Sequence, residues 1–300
     1  MKSLLFFFLL ILSSTVFAQE EITEQELKKH IEFLTADELK GRYPGTSEND
    51  SVVNYLVNDF RKNQISVLIQ EFEALMRKDS SKAKTYNVLG LIQGQDSILK
   101  NEVLVLGAHY DHLGMKGDSI YHGADDNASG IAALLEIAEK IKAHQQDLKR
   151  SVIFIAFGAE EQGLLGSQFF VENPIVPIEQ IKLMVNMDMV GHLNKEKHVY
   201  MGGAGTFPNG VELMESLGEP NQVTPIVHAG SVGGSDHVSF YQKGISVLGI
   251  HTGGHDHYHQ PTDTIEHLNL PGEVKVANYI YQALMEIASS ERELKFIKQD

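Results

Sequence analysis

The sequence predicts a three-layer α/β fold, in which helices cover both faces of a mainly parallel, twisted β-sheet. Residues 103–107 and 152–157 are almost continuously apolar, which is typical of strands buried on both faces. The segment between them places apolar side chains at helical spacing, namely Ile131, Leu134, Leu135, Ala138 and Ile141. A strand, a helix and a second strand in this order form the crossover unit that joins parallel strands.

The remaining elements follow from local patterns along the chain. Residues 23–36 have helical periodicity and begin with a capping box formed by Thr23 and Glu26. Residues 40–45 contain two glycines and a proline, as loops do. We further expect a helix over 48–62, strands over 66–76 and 86–93 joined by a polar turn over 77–84, buried strands over 183–187 and 246–250, and helices near 208–217 and 272–288.

The first 18 residues have the pattern of a signal peptide. Lys2 supplies the positive start, residues 4–12 are apolar, and residues 16–18 end in a small residue where cleavage is expected. The apolar run is too short to cross a membrane. We therefore expect an exported protein, periplasmic or secreted, without a membrane anchor, in which residues 19–300 form a single domain.

Composition excludes several classes of partner and cross-link. The chain has 40 acidic against 25 basic residues, which disfavours binding to nucleic acid or to an anionic membrane. It has no cysteine, so neither a disulfide nor a lipid-modified cysteine is possible. Stability must come from a packed core, with bound metal as a further source. No pattern in the sequence predicts an oligomeric state.

Ligand-type side chains follow four of the predicted strands. These are His109, the pair Glu160 and Glu161, Asp188 and His251. In open α/β sheets, ligands bind at the edge where the carboxyl ends of the strands meet. The pattern therefore predicts a metal or ligand site at this edge.

Individual residue patterns support a metal site. Burying Asp188 within an apolar run is costly unless its carboxylate is paired or coordinated. The side chains of Glu160 and Glu161 point in opposite directions on an extended backbone, so Glu161 can bind a cation while Glu160 faces the reacting water. Asp111, two residues after His109, is a candidate to orient that imidazole.

The segment 123–130 links these positions. We expect Asp126 to bridge two metal ions, although Asp126, Asn127 or Ser129 could instead only cap the following helix. Residues 251–259 contain four of the fourteen histidines, which is a metal-binding composition. Spacing alone does not choose the ligand among them.

Six ordered motifs resemble the co-catalytic di-zinc aminopeptidase family, the secreted bacterial leucyl-aminopeptidase type of zinc exopeptidase. They cover most of residues 100–265, and a turn LKGR at 39–42 is also similar. The motifs are AHYD (108–111), GADDNASG (123–130), FGAEEQGLLGS (157–167), NMDMVG (186–191), GSDH (234–237) and YHQPTDT (258–264).

The resemblance implies a zinc-exopeptidase-like fold and a catalytic domain that removes N-terminal residues from peptides with a free N-terminus. It implies that His109 and Asp188 hold one Zn²⁺ ion and that Glu161 and His259 hold a second. Asp126 would bridge the two ions, with a cis peptide bond after it. His251, His255 and His257 match no ligand position.

The resemblance also implies roles around the metals. Glu160 would be the general base for a zinc-bound water, and Tyr258 would help to polarise the scissile carbonyl. Asp111 and Asp236 would support the ligands from behind.

Three alternatives remain open from the sequence. A dipeptidase or carboxypeptidase could use the same scaffold. A glutaminyl cyclase typically has tryptophan before the last metal histidine and serine after the shared aspartate, whereas here these positions are Tyr258 and Asn127. A non-catalytic periplasmic zinc-binding module would suit the histidine-rich run, but it would have no use for a glutamate that does not bind metal.

Overall fold

The computed structural model describes residues 21–77 and 79–299. The predicted signal peptide over residues 1–18 lies outside this range. In the part of the chain that is described, no helix combines the length and apolar character needed to span a membrane.

A central sheet of eight strands carries the fold. Its strands lie side by side in the order β1-β2-β6-β3-β7-β10-β8-β9, and β4 pairs with β5 in a separate hairpin. The strands are β1 (Ser66–Leu75), β2 (Lys82–Ile92), β3 (Val103–His109), β4 (Gly114–Lys116), β5 (Ser119–Tyr121), β6 (Ser151–Phe157), β7 (Ile181–Met187), β8 (His198–Gly202), β9 (Thr224–Val227) and β10 (Ser246–His251). The central strands β6, β3, β7 and β10 are parallel, whereas β1, β2 and β8 add antiparallel pairings at the margins.

Helices cover both faces of this sheet, which confirms the predicted three-layer α/β architecture. They are α1 (Glu24–Leu34), α2 (Ser47–Lys62), α3 (Gly130–Ala143), α4 (Leu165–Glu172), α5 (Gly210–Ser216), α6 (His237–Gln242) and α7 (Leu270–Ser289). One apolar core joins the sheet to α1, α2, α3 and α7, through residues such as Leu27, Leu134 and Ile280. A second core on the opposite face includes Phe170 of α4 and Phe240 of α6.

The structure differs from the sequence prediction mainly in short or exposed elements. The β4–β5 hairpin, β8, β9, α4 and α6 were not predicted, because each is too short for periodicity to be evident. Strand β2 also begins at Lys82, so the predicted polar turn is shorter than expected. Lys82 and Lys84 lie in the exposed beginning of this strand and form ion pairs with Glu73 and Glu71 of β1.

The parallel strands bring the predicted functional residues to one edge of the sheet. His109 is the last residue of β3 and pairs with Phe157, the last residue of β6. Glu160 and Glu161 follow β6, and Asp188 follows β7. The turn over residues 123–129 lies at the same edge and leads into α3.

Candidate metal centre

Asp126 lies among four other ligand-type side chains. Its Oδ1 is 3.2 Å from His109 Nε2, and its Oδ2 is 3.0 Å from His259 Nε2. His109 Nε2 is also 3.4 Å from Asp188 Oδ1. On the other side, His259 Nε2 is 3.4 Å from Glu161 Oε1. The two oxygens of Asp126 therefore face two separate groups of donor atoms.

These separations suit metal coordination. Tetrahedral ligands at about 2.0–2.2 Å from an ion lie about 3.3–3.6 Å from one another. The imidazole–carboxylate distances of 3.0–3.4 Å are close to that range. Glu161 Oε1 is buried and has no hydrogen-bond partner among the described residues. The set of imidazole nitrogens and carboxylate oxygens is one that Zn²⁺ accepts.

The charges of the site also favour a cation. Asp126 is almost fully buried, and burial acts to raise its pKa, yet contacts with His109 and His259 hold the pKa well below its ordinary value. Hydrogen bonds to Asp126 and then Glu161 raise the pKa of His259 to about 10. A buried cluster of this kind stabilises positive charge at its centre.

The backbone of Asp126 is held from two sides. The peptide bond between Asp126 and Asn127 is cis. The carboxylate of Asp263 accepts the backbone N–H groups of Asp125 and Asp126 at 2.9 and 3.1 Å. On the opposite side, the Arg42 guanidinium donates to the carbonyl of Asp126 at 3.4 Å. The direction of the Asp126 carboxylate is therefore fixed by residues that precede and follow it by more than eighty positions.

Arg42 is fully buried and acts as a backbone clamp. Besides Asp126 it donates to the carbonyls of Tyr110, Leu34, His122 and Gly123. Gly41 makes this placement possible, because a Cβ there would lie 2.4 Å from the carbonyl oxygen of Tyr121. Burial lowers the pKa of Arg42 to about 10, although Asp126 opposes this shift. The clamp joins the segment after β3 to the turn that carries Asp126.

Asn127 connects the same turn to Asp188. Its side-chain Nδ2 donates to the carbonyl of Met187 at 2.9 Å, and its Oδ1 accepts the backbone N–H of Met189 at 3.1 Å. These two hydrogen bonds bracket Asp188 along the chain. The sequence suggested Asn127 as a possible helix cap and as a residue that distinguishes families. Its Oδ1 does accept the N–H of Gly130 at the start of α3, and the contacts around Asp188 add a positioning role.

Asp111 contacts the site differently from the sequence expectation. His109 Nδ1 lies 3.2 Å from the backbone carbonyl of Asp111, and the Asp111 carboxylate is farther away at 4.0 Å. This carboxylate instead accepts the backbone N–H groups of Glu160 and Glu161 at 3.0 and 3.3 Å. The backbone carbonyl faces the imidazole because both carboxylate oxygens are engaged by these N–H groups. The side chain orients the paired glutamates.

Glu160 lies in the site cavity beside His109. Burial raises the pKa of Glu160 well above its ordinary value, and the charges of Asp236 and Asp188 add to this rise. Asp236 itself is fully buried, and burial raises its pKa to about 7. A carboxyl group with a raised pKa is suited to accept and return a proton near neutrality.

Sequence reasoning missed His112. Its ring is fully buried, and its Nδ1 is 2.9 Å from Glu161 Oε1 without the alignment of a hydrogen bond. Donor atoms of His112, Asp126 and Glu161 all lie within 4.8 Å of one another. The group of donor atoms that includes Glu161 therefore has two neighbouring histidines, His112 and His259. The available signal was its position directly after the AHYD motif.

The other histidines of the 251–259 run lie apart from the two donor groups. His255 Nε2 is 3.0 Å from Asp125 Oδ2, and its ring stacks on His192. His257 stacks on His267 with ring centroids 3.9 Å apart. His251 stacks on Tyr200 at the wall of the cavity.

A cavity of about 370 Å³ opens onto the donor groups. Glu160, Asp188 and Asp126 line its inner end, and Tyr258 lies at its wall. The Tyr258 ring stacks on His259 at 3.9 Å and is 47% exposed. Burial and nearby carboxylates raise the pKa of Tyr258 to about 12, so its hydroxyl remains a hydrogen-bond donor.

Three non-glycine residues beside the donors have left-handed backbone conformations. They are Ala159, Met189 and His259, with φ values of +58°, +63° and +54°. Such conformations are costly outside glycine and cluster at functional sites. They re-aim the chain immediately before Glu160, after Asp188 and at His259 itself.

Comparison with known proteins places this site in one family. The model of a family described as Peptidase family M28 matches residues 87–284. This range contains His109, Asp126, Glu160, Glu161, Asp188 and His259.

One similar protein is named as an aminopeptidase. The chain is 28% identical to aminopeptidase YwaD of Bacillus subtilis over 248 residues, which are 80% of this chain and 53% of the relative. The chain spans between about a third and about a half of the length of the first relatives matched.

Two solved structures show the same fold. A zinc aminopeptidase from Bacillus subtilis has a TM-score of 0.76 at 17% identity, covering 91% of this chain and 97% of that one. The glutaminyl cyclase of Porphyromonas gingivalis has a TM-score of 0.77 at 21% identity, covering 89% and 99%.

Proposed function

The chain belongs to peptidase family M28, and we propose that it is a zinc-dependent aminopeptidase with two Zn²⁺ ions. The observation that carries this proposal is the division of donor atoms around Asp126. One oxygen of Asp126 faces His109 and Asp188, and the other faces His259 and Glu161. His109 and Asp188 would hold one ion, Glu161 and His259 the other, and Asp126 would bridge them. The sequence relatives named as aminopeptidases support the assignment.

Bound zinc would polarise the scissile carbonyl and acidify the attacking water. Glu160 accepts the proton of that water and returns it to the leaving amine. Its carboxyl group lines the same cavity as Asp126 and Asp188, and its raised pKa suits this exchange. Tyr258, at the cavity wall, donates a hydrogen bond to the carbonyl oxygen as negative charge develops there.

The acidic inner end of the cavity selects substrates with a free N-terminus. A free N-terminal amine placed beside the bound zinc and the carboxylates of Glu160 and Asp188 gains polar contacts that an acylated terminus cannot form. The cavity volume of about 370 Å³ is near the lower limit of ordinary ligand sites, about 300–1,000 Å³. Both features favour removal of one residue at a time.

Export is part of the proposal. The signal-peptide pattern over residues 1–18 would direct the chain to the periplasm or the medium.

Replacing Glu160 tests the assigned general base. We expect Glu160→Gln to lower kcat for aminoacyl-anilides by about 10²–10⁴-fold, because general acid–base catalysis contributes this much. Zinc content, measured by atomic emission, should stay at the wild-type value, since Glu160 is not among the proposed ligands. Full activity in Glu160→Gln with normal zinc would show that another group is the base.

A substrate panel separates the alternatives. Zinc-loaded protein is incubated with aminoacyl-anilides, their N-acetylated forms, and peptides that begin with glutamine, each with a chelator control. We expect chelator-sensitive release of free amino acids from unblocked substrates alone. Ring closure of N-terminal glutamine without peptide hydrolysis would identify a cyclase, whose fold is equally similar. Absence of any chelator-sensitive product would leave a zinc-binding module.

A further inference from the structure

A second cavity adjoins the candidate metal centre and shares two of its residues with the first cavity. Its volume is about 610 Å³, and Glu161 and His259 line it as they line the first cavity. A peptide bond held at the metal centre would therefore have one cavity on its amino side and the other on its carboxyl side. The acidic end of the first cavity suits the N-terminal residue, so the second cavity would receive the residue after the scissile bond.

The two cavities differ in charge. Four carboxylates line the first, whereas Arg77 and Lys116 line the second. This positive lining contrasts with the whole chain, which has a net charge of −15. Among the described residues, the only carboxylate at the second cavity is that of Glu161, which is a proposed metal ligand. The basic groups are thus available to an incoming anion.

Arg77 is held next to the metal centre by specific contacts. Its Nη1 donates to the backbone carbonyl of Glu161 at 3.3 Å, and its backbone N–H donates to Gln162 Oε1 at 2.9 Å. Tyr43 also donates to this Gln162 oxygen, at 3.2 Å. Gly163 leaves room for the guanidinium, because a Cβ there would lie 2.9 Å from Arg77 Nη2.

Lys116 approaches the same cavity from the β4–β5 hairpin. This hairpin packs on the LKGR turn, where Gly114 donates its N–H to the carbonyl of Gly41 at 3.1 Å. The lysine is exposed, and Met115 beside it is 38% exposed at the cavity wall. Arg77 and Lys116 therefore reach one space from two independent elements.

We propose that this second cavity binds a carboxylate on the residue that follows the scissile bond, an inference that rests on the proposed aminopeptidase function. One residue of extended chain spans about 3.3–3.6 Å, so a carboxylate at this position lies one residue beyond the metal centre, beside Arg77. A guanidinium binds a carboxylate through two parallel hydrogen bonds, and the lysine adds a second positive charge. The preferred substrates are dipeptides, whose C-terminal carboxylate lies there.

Matched dipeptides test this proposal. Steady-state kcat/KM is measured for Leu-Ala and for Leu-Ala-amide, which differ in the carboxylate alone. We expect the free dipeptide to be preferred by about tenfold, which corresponds to about 1.4 kcal/mol. A second pair, Leu-Asp-amide and Leu-Asn-amide, shows whether an acidic side chain at this position serves equally well. A ratio of one for both pairs would overturn the proposal.

Variants connect the preference to the two basic residues. In Arg77→Gln the dipeptide-to-amide ratio should fall to within about twofold of one, and Lys116→Gln should lower it by a smaller factor. Arg77→Lys should retain part of the preference, because it keeps the positive charge but cannot form the two parallel hydrogen bonds of a guanidinium. Lys149→Gln is the control, since it removes one positive charge at an exposed ion pair with Glu291. It should keep the wild-type ratio.

The outcomes distinguish the two levels of the proposal. Absence of hydrolysis of Leu-anilide by the zinc-loaded wild type would overturn the aminopeptidase function itself. Hydrolysis of Leu-anilide with no dipeptide preference would overturn the carboxylate site alone. A preference that survives in Arg77→Gln and Lys116→Gln would assign the carboxylate to another surface. If Arg77→Gln does not fold, the wild-type ratios and Lys116→Gln still decide the question.

Discussion

Arg42 and Arg150 are both fully buried, and they lie at opposite ends of the central sheet. Arg150, which precedes β6, donates to the carboxylate of Glu102 at 2.8 Å and to the carbonyls of Ile287, Ser290 and Arg292. Arg42, at the carboxyl ends of the strands, donates to backbone carbonyls alone among the described residues.

The difference concerns where the neutralising charge lies. At the amino end, Glu102 neutralises Arg150 by direct contact, so the group is complete without any ligand. At the carboxyl end, Asp126, Asp263, Asp111 and Glu161 influence Arg42 electrostatically, but no carboxylate is an assigned hydrogen-bond partner. The oxygens of these acids accept backbone N–H groups or face the other candidate metal ligands. Arg150 joins backbone segments and is neutralised by its own carboxylate partner. Arg42 joins backbone segments without forming a hydrogen bond to the nearby carboxylates.

Paired arginine-to-lysine substitutions give the largest expected contrast. Both Arg42→Lys and Arg150→Lys keep the charge and lose hydrogen bonds to buried carbonyls, so we expect each to lower the free energy of unfolding by about 2–4 kcal/mol. Arg42→Lys should also weaken zinc binding by about 100-fold, because the turn that carries Asp126 is released. Chemical denaturation and competitive metal titration measure the two effects. Equal zinc affinity in both variants would contradict the positioning role of Arg42.

Asp263→Asn sharpens the comparison from the other side of Asp126. The carboxylate of Asp263 accepts two N–H groups, and an amide can replace only one such acceptor. We expect zinc affinity to fall by about tenfold, within the range seen for residues that support metal ligands. The control is Asn221→Asp, which makes the reverse change from an amide to a carboxylate. Asn221 lies away from the site and contacts Gln282 of α7. Unchanged affinity in Asp263→Asn would show that Arg42 alone suffices.

Glu273 provides the smallest effect, on stability and its pH dependence. This carboxyl group in the first turn of α7 is fully buried, and burial followed by the charge of Asp125 raises its pKa well above the ordinary value. In the unfolded chain, the Glu273 carboxyl group ionises near its ordinary pKa of about 4.3. The contribution of Glu273 to stability is therefore fully present below that pH and is lost as the pH rises toward the folded pKa. Glu273→Gln should therefore be more stable than the parent at pH 8 and equal to it near pH 4. Thermal unfolding at both pH values checks this, and a pH-independent difference would contradict it.

The central sheet could be predicted because its strands are buried on both faces. Residues 103–107 and 152–157 have no polar side chain that could suggest another element, and the helix between them has clear periodicity. Short elements were missed because three to six residues contain no full period, as in the β4–β5 hairpin. The hairpin nevertheless forms a wall of the second cavity.

The candidate site was predictable where chemistry is local. His109, Glu161 and Asp188 follow strand ends, and the structure brings them to Asp126 and His259. The supporting contacts of Arg42 and Asp263 join residues 84 and 137 positions apart, and no local pattern indicates them. Asp111 shows this limit most clearly. Its position two residues after His109 suggested that its carboxylate would orient the imidazole, whereas its backbone carbonyl makes that contact.

The order of the strands has a further consequence for this centre. His109 ends β3, Asp188 directly follows β7, and Glu161 lies four residues after β6, the neighbour of β3 on its other side. Hydrogen-bonded strands are about 4.8 Å apart, so the sheet sets the spacing of the candidate ligands His109 and Asp188. A slip of one residue in β3 would displace His109 by about 3.3 Å and turn it to the opposite face. Loops that carry neither a donor group nor one of its supporting residues can vary in length or sequence without altering the spacing of His109 and Asp188, provided that the β-sheet register is kept.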